Sequence, residues 1–180
     1  MGRPYILGNI QISSKNMRGK VCLVTGGTSG IGKETARELA KLGASVVIVG
    51  RNVERAITAV TEIKKETGNN LIEFIIADLS SQVAIHNLAD KFLASYRKLD
   101  VLINNAGKIF ISRQTSVDGI EMTFALNHLS YFLLTRLLID SLLLASPSRI
   151  VNVSSTAHQN TTIDFNDIEC RRRYLLGIKA

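Results

Sequence analysis

The 180-residue sequence contains no tryptophan, only two prolines and only two cysteines. Two thiols cannot build the multi-bridge framework of a small secreted domain. Cys22 lies inside an apolar run, where a buried, inert thiol is expected, and a reducing compartment fits. The first 20 residues hold no long apolar run, so neither signal peptide nor anchor is expected there and a cytoplasmic location is the expectation. Gly2 lacks the downstream Ser or Thr of a myristoylation signal, because position 6 is Ile6. Repeats and low-complexity linkers are absent.

Acid is scarce at both ends. Residues 1–20 carry Arg3, Lys15, Arg18 and Lys20 with no carboxylate, and the tail carries Arg171, Arg172, Arg173 and Lys179, within a formal net charge of +7. Neither end alternates basic with aromatic residues as single-strand binders do, so no nucleic-acid partner is expected. One segment, Leu126 to Leu144, is nearly apolar. Arg136 and Asp140 sit in its middle one helical turn apart, which argues against a membrane span and for a buried core helix holding one charge pair.

What is present reads as one soluble domain over residues 1–180, with 1–19 as an N-terminal extension; 46% of residues are hydrophobic and 21% charged. Short, β-branched, nearly continuous apolar runs at Val21–Val24, Ser45–Val49, Leu71–Ile76, Val101–Ile103 and Arg149–Val153 suit strands buried on both faces. Between them the period is helical. Ile31, Thr35, Leu39 and Leu42 line one stripe; Val53, Ile57, Val60 and Ile63 a second; Ile85, Leu88, Phe92 and Tyr96 a third. A fourth helix is expected from about Val117 to Leu144. Strict strand–helix alternation implies right-handed βαβ units and an α/β fold with a doubly wound parallel sheet (Rossmann), strand order 3-2-1-4-5. Ligands bind such sheets at the carboxyl ends of the strands.

Chemistry collects at those ends. After the first strand comes Thr25-Gly26-Gly27-Thr28-Ser29-Gly30-Ile31-Gly32, in which Gly26, Gly30 and Gly32 are spaced G-x-x-x-G-x-G. Such a turn needs residues without a Cβ and brings backbone N–H groups and a helix N-terminus to a pyrophosphate. A glycine cluster alone is weak, but here it follows a buried strand and opens an amphipathic helix. After the second strand comes Gly50-Arg51-Asn52. No acid occupies positions 48–52 to grip a ribose 2′-OH, while Arg51 can pair with a 2′-phosphate, so NADP(H) is favoured over NAD(H). Lys33 adds charge nearby. The competing reading has Arg51 start the next helix in solvent. Asp78, in Ala77-Asp78-Leu79-Ser80, could accept from an adenine amino group or cap a helix, a task better suited to Ser80 or Ser81. The fourth strand ends in Asn104-Asn105-Ala106-Gly107, where buried Asn can tie strands together and Ala106 and Gly107 leave room for a cofactor.

These motifs, T-G-x-x-x-G-I-G, D-L, N-N-A-G, an Asn in the fourth helix and V-S-S after the fifth strand, occur in order over residues 20–160 and resemble the short-chain dehydrogenase/reductase family. The wording "GIGKETARELAKLGA", "LNHLSYFLLT" and "RIVNVSSTAH" is most similar to its retinol dehydrogenase-like branch. The resemblance implies an NADP(H)-dependent oxidoreductase interconverting a small-molecule alcohol and carbonyl, of retinoid, aldehyde/ketone or steroid class. It implies that Gly26, Thr28, Ser29, Gly30, Ile31, Gly32, Arg51, Asn52, Asp78, Leu79, Asn105, Ala106 and Gly107 bind cofactor, with no metal. A homo-oligomer is compatible. Family catalysis uses a Tyr, a Lys four residues on, a Ser and an Asn. Asn127, in the matching N-H-L-S context, and Ser155 take the last two roles. Ser154 is the fallback for Ser155, facing away while the chain stays extended.

The Tyr and Lys have no match. Four residues after Tyr5, Tyr96, Tyr131 and Tyr174 come Asn9, Asp100, Thr135 and Ile178. Tyr174 and Lys179 would lie about 140° apart around a helix, where a spacing of four gives about 40°. The resemblance therefore implies an N-terminal portion of a longer enzyme, ending just before its Y-x-x-x-K, catalytically incomplete alone and with an exposed fifth strand. The alternatives are a non-catalytic NADP(H)-binding or subunit-pairing module, or a nonfunctional remnant. His158, Asp164, Asn166 and Asp167 read as surface-loop residues.

Overall fold

The computed structural model describes residues 16–159, 162–172 and 174. Strands β1 (Val21–Thr25), β2 (Ser45–Gly50), β3 (Ile72–Ile76), β4 (Val101–Asn104) and β5 (Arg149–Asn152) alternate with helices α1 (Gly30–Lys41), α2 (Val53–Thr67), α3 (Gln82–Ser95) and α4 (Met122–Leu144). The five strands form one parallel sheet in the order β3-β2-β1-β4-β5. This is the expected 3-2-1-4-5 arrangement, with every strand boundary within one residue. The expectations placed on residues 1–15, including Gly2, Arg3 and Lys15, and on Arg173 and Lys179, lie outside the described residues.

Alternation along β1 and β2 splits the core into two layers. Leu23, Val47 and Val49 face α3 and α4, packing with Leu88, Phe92, Leu134, Leu138 and Leu142. Cys22, Val24, Val46 and Ile48 face α1 and α2, packing with Ala36, Ala40, Ala59 and Ile63. Cys22 is fully buried, and desolvation first, then the Asp100 carboxylate, pushes its thiol up to about 12.

Two of the three helical stripes need correction. The buried face of α1 is Gly32, Ala36 and Ala40, not the Ile31–Leu42 stripe; Ile31 is 70% exposed. In α2 it is Ala56, Ala59 and Ile63, leaving Val53 and Ile57 half exposed. Both helices lie close to the sheet, where small residues fit and large ones turn outward. The third stripe holds: Ile85, Leu88 and Phe92 are buried, and Tyr96 stacks on Phe92 at 5.1 Å.

The fourth helix begins at Met122 rather than Val117. Gly119, at φ 78, turns the chain left-handed, and the buried Glu121 carboxylate accepts from the Thr123 and Phe124 N–H groups at 2.9 and 2.7 Å, fixing the start. This helix is long and apolar enough to cross a membrane by length and composition, yet it packs one face on the sheet and α3. Arg136 and Asp140 are both exposed and form no ion pair, so the expected buried charge pair is wrong: the polar residues mark the outer face.

One buried charge does organise the sheet. Asp100 accepts from Lys20 Nζ at 2.8 Å and Val21 N at 2.9 Å, joining the entrances of β1 and β4. Burial alone would raise its carboxyl, but these contacts outweigh burial and hold it below its usual range. At the far edge all four residues of β5 are exposed, with Ile150 at 42% and Val151 at 46%.

Candidate functional site

The carboxyl ends of β1, β2, β3 and β4 open onto one cavity of about 760 Å³. Its wall runs from Arg51, Asn52 and Arg55 at the exit of β2, past Gly26, Thr28, Ser29, Ile31 and Gly32, to Asn105, Ala106, Gly107 and Lys108 beyond β4. Ala77 and Leu79 close the β3 side and Leu126 the floor.

The glycine turn has two separate requirements. Gly30 has φ +54 and nothing within 4 Å of where a Cβ would sit, so it combines a left-handed backbone with open space. Gly32 meets the opposite limit: a Cβ there would strike Asn105 Nδ2 and the Gly26 carbonyl. The resulting close approach brings the first turn of α1 to the cavity wall. Asn52 and Ser81 cap α2 and α3 by accepting from Arg55 N and Ala84 N, whereas Ser29 makes no such cap on α1. The N-terminus of α1 thus keeps unsatisfied N–H groups and its partial positive charge facing the cavity, an arrangement suited to phosphate.

The turn is tied to β4 by one buried hydroxyl. Thr25 Oγ1 accepts from Asn105 N at 2.8 Å and Ala106 N at 3.0 Å, and donates to the Ile103 carbonyl at 3.3 Å. Asn105 Nδ2 returns a bond to the Thr25 carbonyl at 2.9 Å. Asn104 does the cross-strand work on the other side, donating to Asn152 Oδ1 at 2.8 Å and Thr135 Oγ1 at 3.2 Å. The two asparagines therefore join β1, β4, β5 and α4.

Asn127 lies in a π-helical stretch, Ala125–Leu129, inserted in α4, where Ser130 N reaches back five residues to the Ala125 carbonyl. Such insertions re-aim side chains and cluster at functional sites. The Asn127 amide clamps the chain across from it: Oδ1 accepts from Lys108 N and Nδ2 donates to the Lys108 carbonyl, each at 3.0 Å. Ser155 follows β5 and is exposed; its Oγ accepts from Ala157 N at 3.2 Å.

Gly26, Thr28, Ser29, Ile31, Gly32, Arg51, Asn52, Leu79, Asn105, Ala106 and Gly107 all line the cavity, and Gly30 sits among them. Asn127 is one contact behind Lys108, and Ser155 stands outside the lining. Asp78 is exposed between Ala77 and Leu79 and accepts from Ser80 N and Ser80 Oγ at 3.0 and 2.8 Å; the cap of α3 is Ser81. Lys33 is not a cavity cation, because its ammonium pairs with Glu62 on α2 and lies outside the lining. Asp167 is no idle loop residue: its carboxylate accepts from Arg171 N at 2.8 Å and Arg172 N at 3.0 Å, and those bonds hold its carboxyl low.

Residues 20–166 match the family model for short chain dehydrogenase. The chain belongs to the short-chain dehydrogenase family. It is 42% identical over 172 residues to mouse retinol dehydrogenase 12, covering 96% of this chain and 54% of that protein. Among solved structures, a Pseudomonas aeruginosa RhlG/NADP active-site complex superposes with a TM-score of 0.72 at 30% identity, covering 87% of this chain and 62% of that one. A metagenomic short-chain oxidoreductase in complex with NADP gives 0.72 at 33% identity, covering 82% and 67%. The chain thus spans about half the length of the curated relative it matches.

Two cavity cations escaped the sequence reading. Arg55 stands in the first turn of α2, where the helix dipole disfavours a cation. A local rule broken beside a second arginine is a legible sign of an anion site. Lys108 gave no such signal; its place follows from the path of the loop after β4, and its ammonium lies 5.0 Å from the Phe110 ring centroid.

Proposed function

We propose that this chain carries the cofactor-binding machinery of an NADP(H)-dependent oxidoreductase that interconverts a small-molecule alcohol and carbonyl, with the retinoid class as the first to test. The observation that carries the proposal is the pair Arg51 and Arg55 on the cavity wall at the exit of β2, with no carboxylate at positions 48–52. A 2′-phosphate there meets two guanidinium groups able to form charge-assisted hydrogen bonds. The uncapped first turn of α1 then takes the pyrophosphate, and Asn105–Lys108 receive the nicotinamide half. The bound nicotinamide supplies or accepts hydride; the protein holds and orients it. The retinol dehydrogenase name of the relative supports the retinoid class.

Ser155 fits the role of polarising the substrate oxygen. Its oxygen already accepts from Ala157 N, which leaves its hydroxyl proton for an incoming oxygen. Asn127 holds the loop at Lys108 and, in the family pattern, orients water for the proton relay. A second reading is favoured by one contact. The Tyr174 hydroxyl donates to the Phe110 carbonyl at 2.6 Å, and no Lys stands four residues after any tyrosine. On that reading these 180 residues bind NADP(H) without turning over substrate.

The test titrates the 180-residue chain with NADPH and NADH by fluorescence, then assays NADPH oxidation with all-trans-retinal. Binding that favours NADPH by about tenfold or more, without turnover, is expected. Equal affinity for both cofactors would overturn the role given to the arginine pair, and turnover would overturn the incompleteness.

A further inference from the structure

The loop leaving β4 forms the Gly107–Lys108 end of the cavity, and three contacts from outside hold it. Asn127 clamps the Lys108 backbone on both its N–H and its carbonyl. Two residues on, the Phe110 carbonyl accepts the Tyr174 hydroxyl at 2.6 Å. Three residues further, Arg113 Nε donates to the Glu169 carbonyl at 3.0 Å, with an Arg113–Glu169 ion pair at 3.6 Å. The last two contacts come from Glu169 and Tyr174, which lie some 60 residues away in sequence. Between them the chain carries short-range bonds of its own, with Asp167 accepting from Arg171 N and Arg172 N.

We infer that Tyr174 is a positioning residue for the nicotinamide half of the cavity: its hydroxyl latches the β4 loop through Phe110, so that Gly107 and Lys108 stay seated against Asn127. The inference rests on the cofactor reading proposed above. A phenol has one proton, and the short bond to Phe110 commits it. The longer 3.4 Å contact to Thr123 Oγ1 therefore uses the phenol as acceptor, with Thr123 donating. Tyr174 thereby pins the loop to the first turn of α4, the helix that presents Asn127. Phe110 is itself buried in the core, with its ring beneath the Lys108 ammonium, so holding its carbonyl fixes the two residues before it. The effect is confined to one end of the cavity. Arg51 and Arg55, at the other end, stand on α2 and the exit of β2, which the latch does not touch.

That separation gives a readout that general destabilisation would not produce. Tyr174→Phe removes only the hydroxyl. NADPH spans the whole cavity, whereas 2′,5′-ADP occupies the Arg51–Arg55 end and stops short of Lys108. Isothermal titration of the 180-residue chain is expected to give NADPH affinity about two- to tenfold weaker in Tyr174→Phe, the range one hydrogen bond allows. Affinity for 2′,5′-ADP should be unchanged. Should Tyr174→Phe fail to fold, Thr123→Val and Arg113→Gln loosen the same loop and are expected to give the same split. Unchanged NADPH affinity, or equal losses for both ligands, overturns the latch while leaving the cofactor reading intact. A wild-type chain that binds neither ligand overturns both.

Discussion

Replacing Thr25 by Val keeps the shape of the side chain and removes the oxygen that ties the glycine turn to the end of β4. That oxygen accepts from Asn105 N and Ala106 N and donates to the Ile103 carbonyl, in a residue only 1% exposed. Loss of the hydroxyl orphans two backbone donors at the junction of β1 and β4. An orphaned buried donor costs about 1–3 kcal/mol. Asn105 and Ala106 are half-buried at the cavity wall, so water reclaims part of that loss. The expected cost is about 2–4 kcal/mol in urea unfolding, or a fall of roughly 5–12 °C in Tm for a domain of this size. NADPH affinity should fall with it, because the two freed amides belong to residues lining the cavity. Thr25→Ser, which retains the oxygen, should recover most of both. A Thr25→Val variant within about 0.5 kcal/mol of wild type would refute the reasoning, because that is the scatter of a neutral surface substitution.

Other consequences are open to direct measurement. Arg51→Ala and Arg55→Ala should each weaken NADPH binding about tenfold and leave NADH within error, read by cofactor fluorescence. Asp100 has a folded-state carboxyl that its contacts with Lys20 and Val21 hold below the usual carboxylate range. Its contribution is therefore present above about pH 4 and is lost as pH falls through the lowered folded value. Unfolding free energy measured between pH 6 and pH 3 should drop more steeply in wild type than in Asp100→Asn, and parallel curves would refute this. Cys22 is fully buried and its thiol is pushed up to about 12, so it should not react with a disulfide reagent at pH 8 until the chain is unfolded. Ile150→Lys on the open edge of β5 should reduce concentration-dependent association in sedimentation while leaving far-UV circular dichroism unchanged.

The sheet was legible because each buried strand is a compact run of β-branched residues, and such a run fixes both its position and its burial on two faces. Val46–Val49 could be little else. The helix faces were harder to read. A reading weighted by hydrophobicity selects Ile31, Val53 and Ile57, while a helix lying close to a sheet selects Gly32, Ala36, Ala40, Ala56 and Ala59. The displaced large residue is informative in one case: Ile31 is exposed because it lines the cavity. The start of α4 was misjudged because its signal is a buried Glu121 acting as cap, a task more often given to Ser, Thr, Asp or Asn.

A gradient of the same kind runs across the cavity. At its phosphate end, recognition is local in the chain: the glycine turn and Arg51 each sit directly after a strand, so spacing alone exposes them. Arg55 needed only the further step of asking why a cation opens a helix. At the β4 end nothing is local. Lys108 is held by Asn127, 19 residues away, Phe110 by Tyr174, 64 away, and Arg113 by Glu169, 56 away. No periodicity links such pairs, because each depends on how the loop after β4 crosses α4 and the segment after β5. Tyr174 has no Lys four residues on to make it the acid of the family pattern. Its proton is instead directed at the Phe110 carbonyl beside the cavity, the contact on which the proposed latch rests. Substitutions at the phosphate end should therefore change which cofactor binds, and substitutions among the long-range contacts should change how firmly its far half is held.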